Sequence, residues 1–93
     1  MLLQTQGPFE NKELQDFLSQ RTANRIVQLY RREEGVEVRA THLGWVYKQG
    51  YSYALYVLGG EDLVSDHRVE QVSLNTAAER VLELGADFLV YED

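Results

Sequence analysis

Cysteine is absent from the 93 residues. That removes disulfides, thiolate nucleophiles and cysteine-based zinc or iron–sulfur sites together. Histidine is scarce: His42 and His67 are the two imidazoles, and they show neither an i, i+4 pair nor other ligand spacing. Proline occurs once, at Pro8, and Gly59-Gly60 is the one glycine pair, so no linker divides the chain. No apolar run approaches the ~18 residues of a membrane span. The opening Met1-Leu2-Leu3-Gln4-Thr5-Gln6 lacks the basic region and the long apolar stretch of a secretory signal. The expectation is one cytoplasmic domain over residues 1–93, with no membrane partner.

What is present describes an ordinary globule: 44% apolar residues, 26% charged and seven Gly. A chain of this length buries roughly 60–70% of the surface it exposes when unfolded. One core is feasible; a core plus a deep, walled catalytic cavity is difficult. Fifteen acids against nine bases give a net −6, unevenly spread. Residues 1–60 hold seven Lys/Arg and six Asp/Glu (+1), whereas residues 61–93 hold two and nine (−7). The overall field disfavours general attraction to nucleic acid or anionic lipid.

Periodicity separates the elements. Leu14, Phe17 and Leu18 fall on one stripe, which predicts a helix over 10–20 with Asn11 as cap and Glu10, Glu13 and Asp16 suited to its N-terminal half. Residues 25–32 are rich in β-formers, and 36–43 alternate well, predicting a hairpin around Glu34-Gly35. The strand continues to Lys48, turns at Gln49-Gly50 and returns over 51–58. Residues 61–67 read as an exposed acidic loop and 68–74 as a short strand. Thr76 and Glu79 have capping-box spacing, with Asn75 an alternative cap, for a helix over 76–84 that ends at Gly85. Phe88-Leu89-Val90-Tyr91 reads as a strand buried on both sides. The fold class is therefore α+β: a mainly antiparallel sheet of five or six strands with two amphipathic helices. The order is α-β-β-β-β-α-β plus one final strand, the first few residues being a candidate extra strand.

Hairpin turns set register, and register sets faces. If Glu34-Gly35 and Gln49-Gly50 are the central turn residues, two sets separate. Val27, Leu29, Val36, Val38, Ala40, His42, Val46, Tyr53, Leu55 and Val57 form an aliphatic core face. The opposite set holds Ile26, Gln28, Tyr30, Arg32, Glu37, Arg39, Thr41, Leu43, Trp45, Tyr47, Ser52, Ala54, Tyr56 and Leu58. Its Trp, Tyr and Arg content is that of an interface. The competing expectation is that the first helix covers this face, each side of the sheet then carrying one helix.

Site chemistry is sparse. Ser65-Asp66-His67 has the residue types of a catalytic triad, but adjacent residues cannot converge on one reacting atom. Glu61-Asp62, Asp87 and Glu92-Asp93 are acids without a spacing that demands catalysis. Gly59-Gly60 lacks the Lys-Ser/Thr continuation of a P-loop. No nucleophile, general base or cofactor handle emerges. The expectation is a non-enzymatic, cofactor-free regulatory module that binds a protein partner or a second copy through Tyr30, Arg32, Arg39, Trp45, Tyr47 and Tyr56. Two alternatives stand beside it. The arginines 21, 25, 31, 32 and 39 with the aromatic residues suit single-stranded nucleic acid, and the acidic 61–93 segment suits an inhibitor that occupies a partner's basic nucleic-acid-binding surface.

Overall fold

The computed structural model describes residues 2–21, 25–33, 40–58 and 67–92, with Arg21, His67 and Arg68 described by backbone alone. Six strands and two helices follow in the order β1 (Leu2–Gln6), α1 (Asn11–Arg21), β2 (Val27–Arg32), β3 (Ala40–Gln49), β4 (Ser52–Leu58), β5 (His67–Val72), α2 (Leu74–Glu83) and β6 (Phe88–Glu92). All strands join one sheet, in the order β1-β6-β2-β3-β4-β5, with every neighbouring pair antiparallel. The α+β class is as the sequence implies. The sixth strand is the N-terminal segment, which pairs with β6 and forms one sheet edge. The segments weighed over 34–39 and 59–66, including Arg39, Val36, Val38 and Ser65-Asp66, lie outside the described residues.

Both helices lie on one side of the sheet. Leu14 and Leu18 of α1 and Ala77, Ala78 and Val81 of α2 join a single core with Val27, Leu29, Val46, Tyr53, Leu55, Val57, Leu89 and Tyr91. Phe17 closes the stripe edge-on against Tyr91, ring centroids 5.0 Å apart. Gln15 Nε2 donates to Asn75 Oδ1 at 3.1 Å, tying the helices to each other. Burying each Leu or Val contributes roughly 1.5–3 kcal/mol before conformational entropy is subtracted. The expectation of one helix on each face fails because both apolar stripes face the same aliphatic layer.

The helix ends follow local chemistry. Ser73, not Thr76 or Asn75, caps α2: its Oγ accepts from Thr76 N at 3.3 Å. Gly85 (φ 81) takes the left-handed position after α2, with Gly85 N donating to Leu82 O and Ala86 N to Val81 O. This is the paired closure that a C-terminal glycine permits. Asn11 is the first helical residue of α1 rather than its cap. Glu13 Oε1 instead accepts from Glu10 N at 3.1 Å, satisfying a donor at the helix start.

Two register differences matter, with opposite consequences. Gln49 pairs with Ser52, so Gly50 and Tyr51 occupy the turn, and Val46 opposes Leu55 rather than Tyr53. That is a shift of two residues, which changes partners but not faces. The β2–β3 ladder instead breaks by one residue: Leu29 pairs with Gly44 and Tyr30 with His42. Leu43 is the extra residue of a bulge, and it flips the alternation. His42, expected on the core face, stands on the opposite face; Leu43, expected opposite, packs against the core.

Gly44 makes the bulge possible. Its φ is +147°, and a Cβ there would sit 1.9 Å from the Tyr56 carbonyl oxygen. Gly44→Ala should therefore destabilise the fold by about 3 kcal/mol or more. Gly50→Ala, with φ +65° but nothing within 4 Å, should cost only about 1–2 kcal/mol. Urea unfolding midpoints of the two variants check the ranking, and equal losses would contradict it.

Candidate functional site

The side of the sheet away from the helices is built by alternation. Gln4, Val90, Gln28, Trp45, Tyr56 and Val69 form one continuous row across all six strands. Gln6, Phe88, Tyr30 and His42 form a second row beside it. Tyr47 pairs with Ala54, and Leu2 with Glu92, toward the other strand end. Large apolar groups on and beside the rows stay in solvent: Val69 is 47% exposed, Leu2 70% and Ile26 46%. Trp45, Tyr30, Tyr47, Tyr56, Phe88 and Val90 are half-buried.

Six rings run across the face in succession. Phe88 meets Tyr30 edge-on at 6.0 Å. Tyr30 stacks on His42 at 4.8 Å, His42 on Trp45 at 6.1 Å, Trp45 on Tyr56 at 4.8 Å and Tyr56 on Tyr47 at 5.9 Å. At 4.8 Å with planes only 13° apart, Trp45 and Tyr56 must overlap face to face, since rings lying side by side in one plane would be farther apart. The Trp45 and Tyr56 rings therefore lie face against face, whereas Phe88 and Tyr30 meet edge-on. His42 Nε2 lies 2.7 Å from Gln28 Oε1. An amide oxygen only accepts, so this nitrogen carries the proton and donates.

Four of the six expected site residues, Tyr30, Trp45, Tyr47 and Tyr56, are thus brought together. Arg32 shares their face at one strand end, where its Nη1 donates to Gln6 Oε1 at 2.8 Å. Arg39 lies outside the described residues. Sequence reasoning missed His42 and Phe88. The signal for His42 was Gly44, since a glycine inside an alternating strand marks a bulge. Phe88 alternates with the core residues Leu89 and Tyr91, so β6 buries one side and lends the other to the aromatic row.

Beside the row lies an open depression of about 620 Å³, lined by Leu2, Arg25, Ile26, Gln28, Tyr47, Lys48, Val90, Tyr91 and Glu92. It is continuous with the ring row through Tyr47 and Gln28. The charges on this face gather toward its strand ends, where Arg25, Lys48 and Glu92 line the depression. Arg32 and Glu92 stand at opposite strand ends: Arg32 lies beyond the Tyr30–Phe88 pair, and Glu92 opposes Leu2.

The carboxylates have structural partners. Asp87 Oδ1 accepts from Arg32 N at 2.8 Å, Asp87 N donates to Tyr30 O and Asp87 O accepts from Gly7 N. One residue thus joins the ends of β1, β2 and β6, a use that sequence spacing did not reveal. Glu70 takes a two-point grip from Arg80 (3.0 and 2.9 Å), whose Nη1 also donates to Glu83 at 2.8 Å. The bonds to Glu70 and Glu83 hold the Arg80 guanidinium even more firmly protonated than usual. Among the described residues no group of three His, Asp or Glu side chains is placed to hold a metal. Nor is any described helix long and apolar enough to cross a membrane.

The hydrogen bond with Tyr56 pushes the Tyr47 phenol above its ordinary range, aided by the little desolvation the row provides. The folded chain therefore holds the Tyr47 proton more tightly than the unfolded chain does. In an absorbance titration Tyr47 should ionise after a free tyrosine, and Tyr56→Phe should move it back down. An unchanged Tyr47 titration in that variant would contradict the bond.

No protein-family model, curated protein or solved structure matches this chain.

Proposed function

We propose that the chain is a non-enzymatic cytoplasmic interaction module that docks on a protein surface through the open sheet face. The observation that carries this reading is the six-ring row, left uncovered by either helix. Half-buried Trp and Tyr side chains of this kind are the anchors that dominate protein interfaces. A neighbouring apolar depression offers room for a complementary side chain.

The same geometry weighs against single-stranded nucleic acid. A stacking platform must offer ring faces to bases, and here the closest ring pairs occupy each other's faces. The acidic-inhibitor reading draws on carboxylates of the second half, yet Glu70 and Glu83 are paired with Arg80. The protein-docking reading draws on neither charge pattern.

The test compares wild type, Trp45→Ala and Tyr56→Ala as baits against host extract, after circular dichroism has shown all three folded. A specific partner should lose about 2 kcal/mol of affinity, ~30-fold, with either variant. Equal retention by both variants would exclude this face. A gel-shift series with single-stranded oligonucleotide at low salt should show no retardation. Retardation that weakens steeply with added salt would favour the nucleic-acid reading instead.

A further inference from the structure

We infer that the occupant of the open sheet face is a second copy of this chain, packed sheet against sheet about a two-fold axis. The inference rests on the docking reading above and names its partner.

Area comes first. Six strands about 4.8 Å apart and roughly 20 Å long present on the order of 500 Å² in plan. Two such faces together hide on the order of 1,000 Å² or more, which is what a specific interface requires. A six-stranded sheet face can also be matched by another such face, since aligned sheets pack with their strands within about 30° of each other.

Charge comes second. The chain carries −6 overall, so two copies repel unless the meeting surface is spared. It is spared: the two rows that cross the strands are built from Gln, aromatic and aliphatic side chains. Acids such as Glu13, Asp16, Glu79 and Glu83 ride on the helices, on the far side of the sheet. Gln4, Gln6 and Gln28 bring amides that both donate and accept, so they can pair with themselves across a two-fold axis.

Orientation comes third. The register places Arg32 two residues beyond Tyr30 along β2 and Glu92 four residues beyond Phe88 along the antiparallel β6, hence at opposite strand ends. A two-fold axis in the interface, across the strands, turns one copy end for end. It sets Arg32 of each copy over the strand end of the other that carries Glu92, with Arg25 and Lys48 beside it, and the contact occurs twice because the interface is isologous. An axis along the strands loses this match.

Light scattering over a micromolar dilution series reads the mass of the purified full chain. The expected result is a dimer of two 10.7 kDa chains. Trp45→Glu and the milder Val69→Lys should both return it to monomer with unchanged circular dichroism, while Leu82→Lys on α2 should leave the dimer intact. Arg32→Glu or Glu92→Arg alone should raise the dimer Kd roughly 10-fold, and the double reversal should restore it. A wild-type chain that is monomeric throughout overturns the self-pairing. So does a dimer that survives Val69→Lys, because another surface then holds it. A dimer lost in Val69→Lys but indifferent to both charge reversals overturns the end-for-end arrangement. Failure here is distinguishable from failure of the docking reading, which falls only if Trp45→Ala and Tyr56→Ala keep every partner.

Discussion

The seating of Leu14, Leu18 and Val81 on Val27, Leu29, Val46, Leu55 and Leu89 is the contact on which the rest of this structure depends. Two helices of ten or eleven residues suffice to cover one side of a six-stranded sheet. Among the described residues no helix covers the other side. That side must then manage its own apolar surface, and it does so by stacking rings across strands. Cross-strand aromatic pairs contribute roughly 0.5–1.5 kcal/mol each beyond their area. The row therefore steadies the sheet of the lone chain while remaining available to a partner.

The bulge at Leu43 links the two sides. Without it, His42 would enter the aliphatic layer, where an imidazole needs a partner, and Leu43 would point outward. With it, Leu43 joins the core and His42 fills the gap between Tyr30 and Trp45. Gly44 is the residue that lets the backbone do this, since its φ and the nearby Tyr56 carbonyl leave no space for a side chain. A single missing Cβ thus decides the composition of both faces.

Much of this was legible in the residues, for a definite reason. Alternation has a period of two, so the two-residue error in the β3–β4 turn left Val46, Leu55, Trp45 and Tyr56 on their expected faces. The end of α2 at Gly85 was readable because positive φ at a glycine is a local property, whereas its start was read two residues late, the cap being Ser73 and not Thr76 or Asn75. The illegible parts were non-local. Which side α1 covers depends on α2, and Leu14, Phe17 and Leu18 suit either aliphatic or aromatic ground. Asp87 looks like any surface acid until β1 and β2 are brought beside it. His42 was misplaced because a one-residue insertion in a ladder leaves the alternating pattern of 36–43 intact on paper.

The edges of the sheet are managed differently. On β5, Glu70 is gripped by Arg80, so the strand at that border is fastened to α2. On β1, the backbone joins the remainder of the sheet through β6 and the Gly7–Asp87 bond.

Trp45 is the chain's single tryptophan, and it stands near the middle of the ring row, half in solvent. The protein therefore carries one indole fluorophore, located where any visitor to that surface would displace water. Its emission colour and its accessibility to a soluble quencher register what lies on the sheet with no contribution from another indole, so the molecule needs no added label to report its own occupancy.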